Sequence, residues 1–63
     1  MDKLKLVARL SVLATKTNEN SERLLRALST EDYAEKNELI GKALANSMAA
    51  TDMMINTLHN LNN

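Results

Sequence analysis

The second half of the chain carries an apolar pattern with alternating spacings of four and three residues, unbroken over residues 33–61. This spacing returns side chains to one face of an α-helix, so it predicts one long helix, helix 2, over about residues 31–60. The chain has no proline and its one glycine is Gly41, so little in the composition opposes a helix. The pattern consists of Tyr33, Asn37, Ile40, Leu44, Ser47, Thr51, Met54, Leu58 and Leu61.

The first half of the chain predicts helix 1, over about residues 2–28, from an apolar stripe of similar spacing. The middle of this stripe, residues 15–21, contains only polar side chains. The stripe keeps its helical phase across this segment, which favours one continuous helix; the alternative is a break at 15–21 that gives three helices. The stripe consists of two neighbouring lines: Leu6, Leu10, Leu13, Thr17, Asn20, Leu24 and Ala27, and Val7, Leu10, Ala14, Thr17, Ser21, Leu24 and Leu28.

The segment between the predicted helices carries the signals of a helix N-terminus. Thr30 or Ser29 can accept a hydrogen bond from a free backbone N–H of the next turn, and Glu31 and Asp32 lie where the helix dipole favours negative charge. We therefore expect helix 2 to begin near Glu31. Two helices of matched length with a short connection predict an all-α fold, an antiparallel two-helix hairpin that forms a single domain over residues 1–63.

A hairpin of this size buries little core of its own, so we expect it to assemble into a helical bundle. The chain has no cysteine and one histidine, which excludes disulfides and thiolate metal sites, and we expect neither a metal nor a cofactor. The remaining stabilising partner is a second copy of the chain or another helical protein. Helix 2 carries more apolar surface than one helix covers, and Gly41, Ala45 and Ala49 recur at a spacing that permits close packing. The predicted oligomer or partner interface is Ile40, Gly41, Leu44, Ala45, Met48, Ala49, Met53, Ile55 and Leu58.

The polar cluster of Thr17, Asn20 and Ser21 lies on the inward stripe of helix 1. Buried polar groups must form hydrogen bonds or they cost about 1–3 kcal/mol each. We expect these three residues to form either a polar layer that sets the register of the hairpin or a gap filled by water; the functional alternative is a polar pocket for a small ligand.

Charge is distributed unevenly although the net charge is zero. Residues 1–28 contain six Lys and Arg against three Asp and Glu, whereas residues 29–63 contain two against five. The cations of helix 1 fall near one line, which is either a solvated outer face or a surface that binds an anionic nucleotide or RNA. In the second case Tyr33 would stack on the planar ligand; otherwise its ring is expected to cover the hairpin end against Leu24, Leu25 or Leu28. The candidate anion-binding set is Lys5, Arg9, Lys16, Arg23, Arg26 and Tyr33.

The sequence contains no catalytic signature, so we expect no enzyme. It lacks a signal-peptide pattern and a membrane span, from which we expect a cytoplasmic protein with no membrane partner. Its length and hairpin design resemble small dimeric plasmid RNA-binding hairpins, two-helix co-chaperones of type III secretion, and small helical phage proteins that sequester host factors or signalling nucleotides. These resemblances concern architecture only. The leading hypothesis is a non-enzymatic interaction module, a regulator, inhibitor or co-chaperone; the alternative is an oligomer that sequesters an anionic nucleotide or RNA.

Overall fold

In a computed structural model, which describes residues 1–62, the chain folds into two long α-helices. α1 spans Lys3–Ser29 and α2 spans Tyr33–Leu61, and residues 30–32 connect them. The predicted all-α hairpin is confirmed, and the helix ends lie close to the predicted ones.

Contacts between the helices follow the antiparallel order. Lys36 Nζ donates to the backbone carbonyl of Ala27 at 2.6 Å beside the connection, and Asn46 Nδ2 donates to the carbonyl of Lys16 at 3.0 Å near the middle. The ammonium of Lys36 thus lies at the C-terminal end of α1, where the helix dipole favours a positive charge.

The polar segment 15–21 belongs to an uninterrupted α1, so the three-helix alternative is wrong. Thr15 Oγ1 donates to the carbonyl of Ser11 and Thr17 Oγ1 to that of Leu13, each at 3.0 Å. These bonds to carbonyls four residues earlier satisfy the hydroxyl groups within the continuous helix.

α2 begins two residues later than Glu31 because Asp32 is its N-cap, in place of the predicted Thr30 or Ser29. Asp32 Oδ1 accepts from the backbone N–H of Ala34 at 2.9 Å. A carboxylate both caps the helix and places negative charge at the positive end of its dipole. The Ser29 hydroxyl instead donates to a carbonyl of α1, and Thr30 is the C-cap of that helix.

The helices meet along a narrow seam that contains few large apolar side chains. Among residues 1–62, no large side chain is fully buried, and the buried residues are Ala27, Leu39, Ala43, Ala50 and Thr57. The least exposed positions repeat every three and four residues along both helices, as in a heptad seam. They are Leu6, Arg9, Leu13, Lys16, Asn20, Arg23 and Ala27 on α1, and Lys36, Leu39, Ala43, Asn46, Ala50, Met53 and Thr57 on α2; Glu35, beside the connection, is half-buried as well.

A network of side-chain hydrogen bonds crosses the middle of this seam. Asn46 Nδ2 donates to Asn20 Oδ1 at 2.9 Å, and Asn46 Oδ1 accepts from Lys16 Nζ at 3.2 Å. Asn20 Nδ2 donates to Ser47 Oγ at 2.8 Å, and Arg23 Nη1 donates to Asn20 Oδ1 at 3.2 Å. Asn20 therefore forms the predicted polar layer, with Asn46 as its partner on α2.

The seam lies one residue away from the apolar line of α2 and from the second line of α1, while Leu6, Leu13, Asn20 and Ala27 of the first α1 line remain in it. On α2 the seam passes through Leu39 and Ala43, whereas the strongest apolar pattern passes through Ile40 and Leu44. One residue corresponds to a rotation of about 100° around a helix axis. Most of the large apolar side chains are therefore turned away from the partner helix of the same chain, whereas Leu6, Leu13, Leu39 and Met53 remain in the seam.

The surface area of the isolated chain agrees with this arrangement. The chain exposes 4913 Å², whereas a compact monomer of its 7.0 kDa mass is expected to expose about 4,000 Å². The excess of roughly 900 Å² is similar to the area that one partner buries in a standard protein interface, about 800 Å².

Candidate interaction surface

The apolar lines of both helices lie on the same side of the hairpin and form one broad surface, which we call the uncovered face. An open groove joins the two lines at mid-length, where Thr17 and Leu24 of α1 border the same space as Ser47 and Met54 of α2. The uncovered face consists of Val7, Leu10, Ala14, Thr17, Ser21, Leu24 and Leu28 on α1, and of Tyr33, Asn37, Ile40, Leu44, Ser47, Thr51, Met54, Leu58 and Leu61 on α2.

Most of the exposed apolar surface of the hairpin belongs to the uncovered face. It holds ten of the sixteen large apolar side chains that are exposed among residues 1–62, from Met54 at 46% to Tyr33 at 83%. It contains no charged residue, although a quarter of the sequence is charged. Depletion of charge and enrichment in large apolar side chains are the features that distinguish the core of a protein interface from ordinary surface.

The polar residues of the uncovered face are concentrated at its middle. Thr17 and Ser21 on α1 lie across the groove from Ser47 and Thr51 on α2, and we call these four residues the polar band. Apolar side chains predominate on both sides of the band, towards the connection and towards the chain ends, with Asn37 as the exception.

The placement of the polar cluster on α1 differs in part from the prediction. Asn20 lies in the seam, but Thr17 and Ser21 are exposed on the uncovered face. The physical reason is the one-residue shift of the seam, which moves their line away from α2. The space beside them is an open groove, not the enclosed polar pocket that was the alternative.

Three residues of the predicted interface, Ile40, Leu44 and Leu58, lie on the uncovered face with half or more of their surface exposed. Sequence reasoning did not include the contribution of α1, for example Leu10 and Leu24, in this interface. The signal was present, because these leucines follow the same spacing on α1, but they were assigned to the interior of the hairpin.

Four other residues of the predicted interface are exposed beside the uncovered face, on the outward side of α2: Gly41, Ala45, Met48 and Ile55. Nothing approaches within 4 Å of the point where a Cβ atom of Gly41 would lie. Within the hairpin, therefore, this small residue does not serve a close approach of the two helices.

The last two residues of the predicted interface lie elsewhere. Met53 is half-buried in the seam between the helices. Ala49 borders a second groove with Arg9 and Asp52, on the side of the hairpin away from the uncovered face. Met53 therefore already contributes to packing within the chain, and Ala49 borders a groove with charged walls.

The cations of the predicted anion site lie in the seam or beside it, on the side opposite the uncovered face. Three of them, Arg9, Lys16 and Arg23, are half-buried against α2. Lys16 contributes to the seam network, and Arg23 lies 3.8 Å from Glu19. Arg26 lies 3.7 Å from a carboxylate oxygen of α2, and Lys5 is exposed. Two of these five cations are therefore paired with carboxylates of the same chain, and Lys16 bonds an amide oxygen.

Tyr33 neither covers the end of the hairpin nor joins these cations. Its ring is 83% exposed, and Leu24, Leu25 and Leu28 are themselves 51%, 63% and 78% exposed, so the predicted packing of the ring against them is wrong. Tyr33 lies on the line of the uncovered face, whereas Arg26 points to the opposite side. The structure does not bring the predicted anion-binding set together as one site.

Within residues 1–62, no three His, Asp or Glu side chains gather as a metal site would require. Neither helix, over the same residues, has the length and hydropathy needed to cross a membrane. Comparisons with protein families, with curated proteins and with solved structures give no match.

Proposed function

We propose that this protein is a small non-enzymatic interaction module that acts through the uncovered face, as a homo-oligomer or in a helical complex with a partner protein. The observation that carries the proposal is a continuous, uncharged and largely apolar surface built from both helices. A regulator, an inhibitor or a co-chaperone works by such contacts and needs no reacting groups. The proposal includes the cytoplasmic location expected from the sequence.

The size of the surface supports this function. The hairpin measures 47 Å along and 15 Å across its helices, so one side of it covers roughly 700 Å², close to the ~800 Å² that one partner contributes to a standard interface. Burying the exposed halves of ten large apolar side chains would contribute on the order of 10 kcal/mol before the costs of association are subtracted.

The weakness of the seam within the chain supports it as well. Two of the central positions on α1 are Lys16 and Asn20, and most buried residues are alanines that remove little apolar area from water. Hydrophobic burial is the main favourable term in folding. Because most large apolar side chains of this chain lie outside the seam, most of its hydrophobic free energy of burial is gained only when another surface covers them.

The alternative function, sequestration of an anionic nucleotide or RNA, has less support. Lys16, Arg23 and Arg26 already have partners within the chain, and Tyr33 lies on the other side of the hairpin. Calorimetric titration with nucleotides and short RNAs tests this alternative. Binding that Arg23→Glu and Arg26→Glu both weaken would favour it over the interaction module.

A pair of matched variants tests the proposed function. Leu10 and Val12 are both exposed apolar residues of α1, at 52% and 42%, but only Leu10 lies on the uncovered face. We expect Leu10→Glu to abolish the complexes that the tagged protein forms in its native host, and Val12→Glu to retain them. Mass-resolved affinity purification reads out both the identity and the stoichiometry of each complex.

The proposal is contradicted if the chain is a stable, folded monomer at micromolar concentration and forms no complex that Leu10→Glu loses and Val12→Glu retains. Circular dichroism of both variants establishes that they remain helical. Equal loss of complexes in Leu10→Glu and Val12→Glu would also contradict it, because the binding surface would then not be the uncovered face.

A further inference from the structure

We propose that the occupant of the uncovered face is a second copy of this chain, so that two hairpins pack face to face as a four-helix bundle with twofold symmetry. This inference rests on the proposed function and adds the identity of the partner. Three properties of the face support it: its pattern of polar and apolar residues, its lack of charge, and its area.

The pattern along the face is complementary to itself. The polar band lies near the middle of both helices, since α1 spans Lys3–Ser29 and α2 spans Tyr33–Leu61. Two copies that pack face to face are related by a twofold axis that lies in the plane of the face. We consider the two axes through the centre of the face that run along the helices or across them. Both axes place the polar band of one copy on that of the other, and apolar ends on apolar ends. In a symmetric interface the same patch must match itself, and this patch does.

The absence of charge removes the usual penalty of such self-contact. Like charges on a patch that meets its own copy would face one another and disfavour the dimer. From Val7 to Leu28 and from Tyr33 to Leu61, the uncovered face presents none, because the Asp, Glu, Lys and Arg residues occupy the seam and the other sides of the helices. The four polar side chains at the middle carry hydroxyl groups. The Thr17 hydroxyl already donates within α1, but its oxygen can accept another bond, and the other three hydroxyls can still donate, so the band can pair with its own copy.

The area agrees with one further hairpin as the partner. A face of roughly 700 Å² per copy gives a dimer interface of about 1,400 Å² in total, within the standard range of 1,200–2,000 Å². Large apolar side chains of both helices would then lie between two helix pairs. This is the layered arrangement of a four-helix bundle, in which inward-facing residues from all helices form one core.

Sedimentation equilibrium of the purified full chain, with no other protein present, tests the inference directly. We expect twice the 7.0 kDa chain mass at micromolar concentration. Leu10→Glu places one carboxylate from each copy in the interface and is expected to raise the dimer dissociation constant about a hundredfold. Val12→Glu, which lies on the opposite side of α1, is expected to leave the dissociation constant within about twofold of the parent chain.

Cysteine cross-linking provides a second measurement that does not depend on placing a charge in the interface. The chain has no cysteine, so Thr17→Cys and Ser47→Cys introduce single thiols into the polar band. The two variants are mixed and mildly oxidised, and we expect disulfides to form rapidly between copies. If the twofold axis runs across the helices, each variant forms a disulfide with a second copy of itself. If the axis runs along the helices, Thr17→Cys forms a disulfide with Ser47→Cys. Val12→Cys is the control and is expected to cross-link at least tenfold more slowly.

Two results would overturn the inference. The first is that the purified parent chain sediments as a folded monomer, although it forms complexes in the host that Leu10→Glu does not form. The proposed function then stands, and the partner is a different protein. The other is a dimer that Leu10→Glu leaves intact and in which Val12→Cys cross-links as fast as the band variants, which would place the contact between copies on the other side of the hairpin. A monomer without any face-dependent complex contradicts the proposed function itself.

Discussion

Replacing Asn46 with alanine removes three hydrogen bonds that join the helices: one from Lys16 Nζ, one to the carbonyl of Lys16 and one to Asn20 Oδ1. Each such bond contributes about 0.5–1.5 kcal/mol net. Asn46 is only half-buried, so water replaces part of what is lost. Alanine also regains about 0.5 kcal/mol of helix propensity. We therefore expect the free energy of unfolding to fall by about 1–2 kcal/mol, which corresponds to a melting temperature lower by about 5–15 °C.

Urea titration and thermal melting, followed by far-ultraviolet circular dichroism, measure this change. All variants are compared at one protein concentration, since association adds to the apparent stability. Asn56→Ala is the matched control, because Asn56 is exposed on the same helix and takes no part in the seam network. It gains the same helix propensity and should be as stable as the parent chain or slightly more so. An Asn46→Ala variant no less stable than Asn56→Ala would refute the view that the network holds the seam together.

Two further predictions concern the helix ends beside the connection. Lys36→Met removes the ammonium that donates to the carbonyl of Ala27 at 2.6 Å. We expect urea titration to give a loss of about 0.3–1 kcal/mol that shrinks at high salt. Lys5→Met, at an exposed lysine near the other end of α1, is the control that leaves the contact intact. An equal loss in both variants would contradict a specific role of Lys36. Asp32→Ala removes the N-cap of α2 and should lower the free energy of unfolding, measured by thermal melting, by about 1 kcal/mol. Asp32→Asn should keep most of the stability, since asparagine also caps helices. Two equally stable variants would show that this cap contributes little.

The fold could be predicted because its determinants are local. Continuous periodicity without proline fixes two long helices, and a connection of three residues leaves only an antiparallel arrangement. The start of α2 was predicted less well, since Ser29, Thr30 and Asp32 are all good N-cap residues. Which of them caps the helix depends on where α1 releases the chain, and that is a property of the folded connection.

The rotation of the helices about their axes could not be predicted in the same way. The line through Leu39 and Ala43 and the line through Ile40 and Leu44 have the same period, so periodicity alone allows either as the seam. Preference for the more apolar line assumes that a single hairpin is the complete folded unit. The observed seam uses small residues such as Ala43 and a polar layer, and leaves the larger side chains for a second surface.

The seam and the uncovered face have different roles: the seam sets the register of the two helices, and the uncovered face holds most of the apolar surface whose burial would stabilise them. The seam network holds Asn20 opposite Asn46, and a slip of the helices by one turn would break these bonds while leaving the apolar lines still side by side. Polar residues at seam positions set register at some cost in stability. The free energy that offsets this cost is available on the uncovered face, where Leu44 is 61% exposed and Leu58 60% exposed. Because burial of that face requires both helices to be in register, binding would favour the correctly paired hairpin over slipped forms. Folding of the hairpin and docking of its uncovered face are therefore expected to be one coupled equilibrium, with a melting temperature that rises with protein concentration.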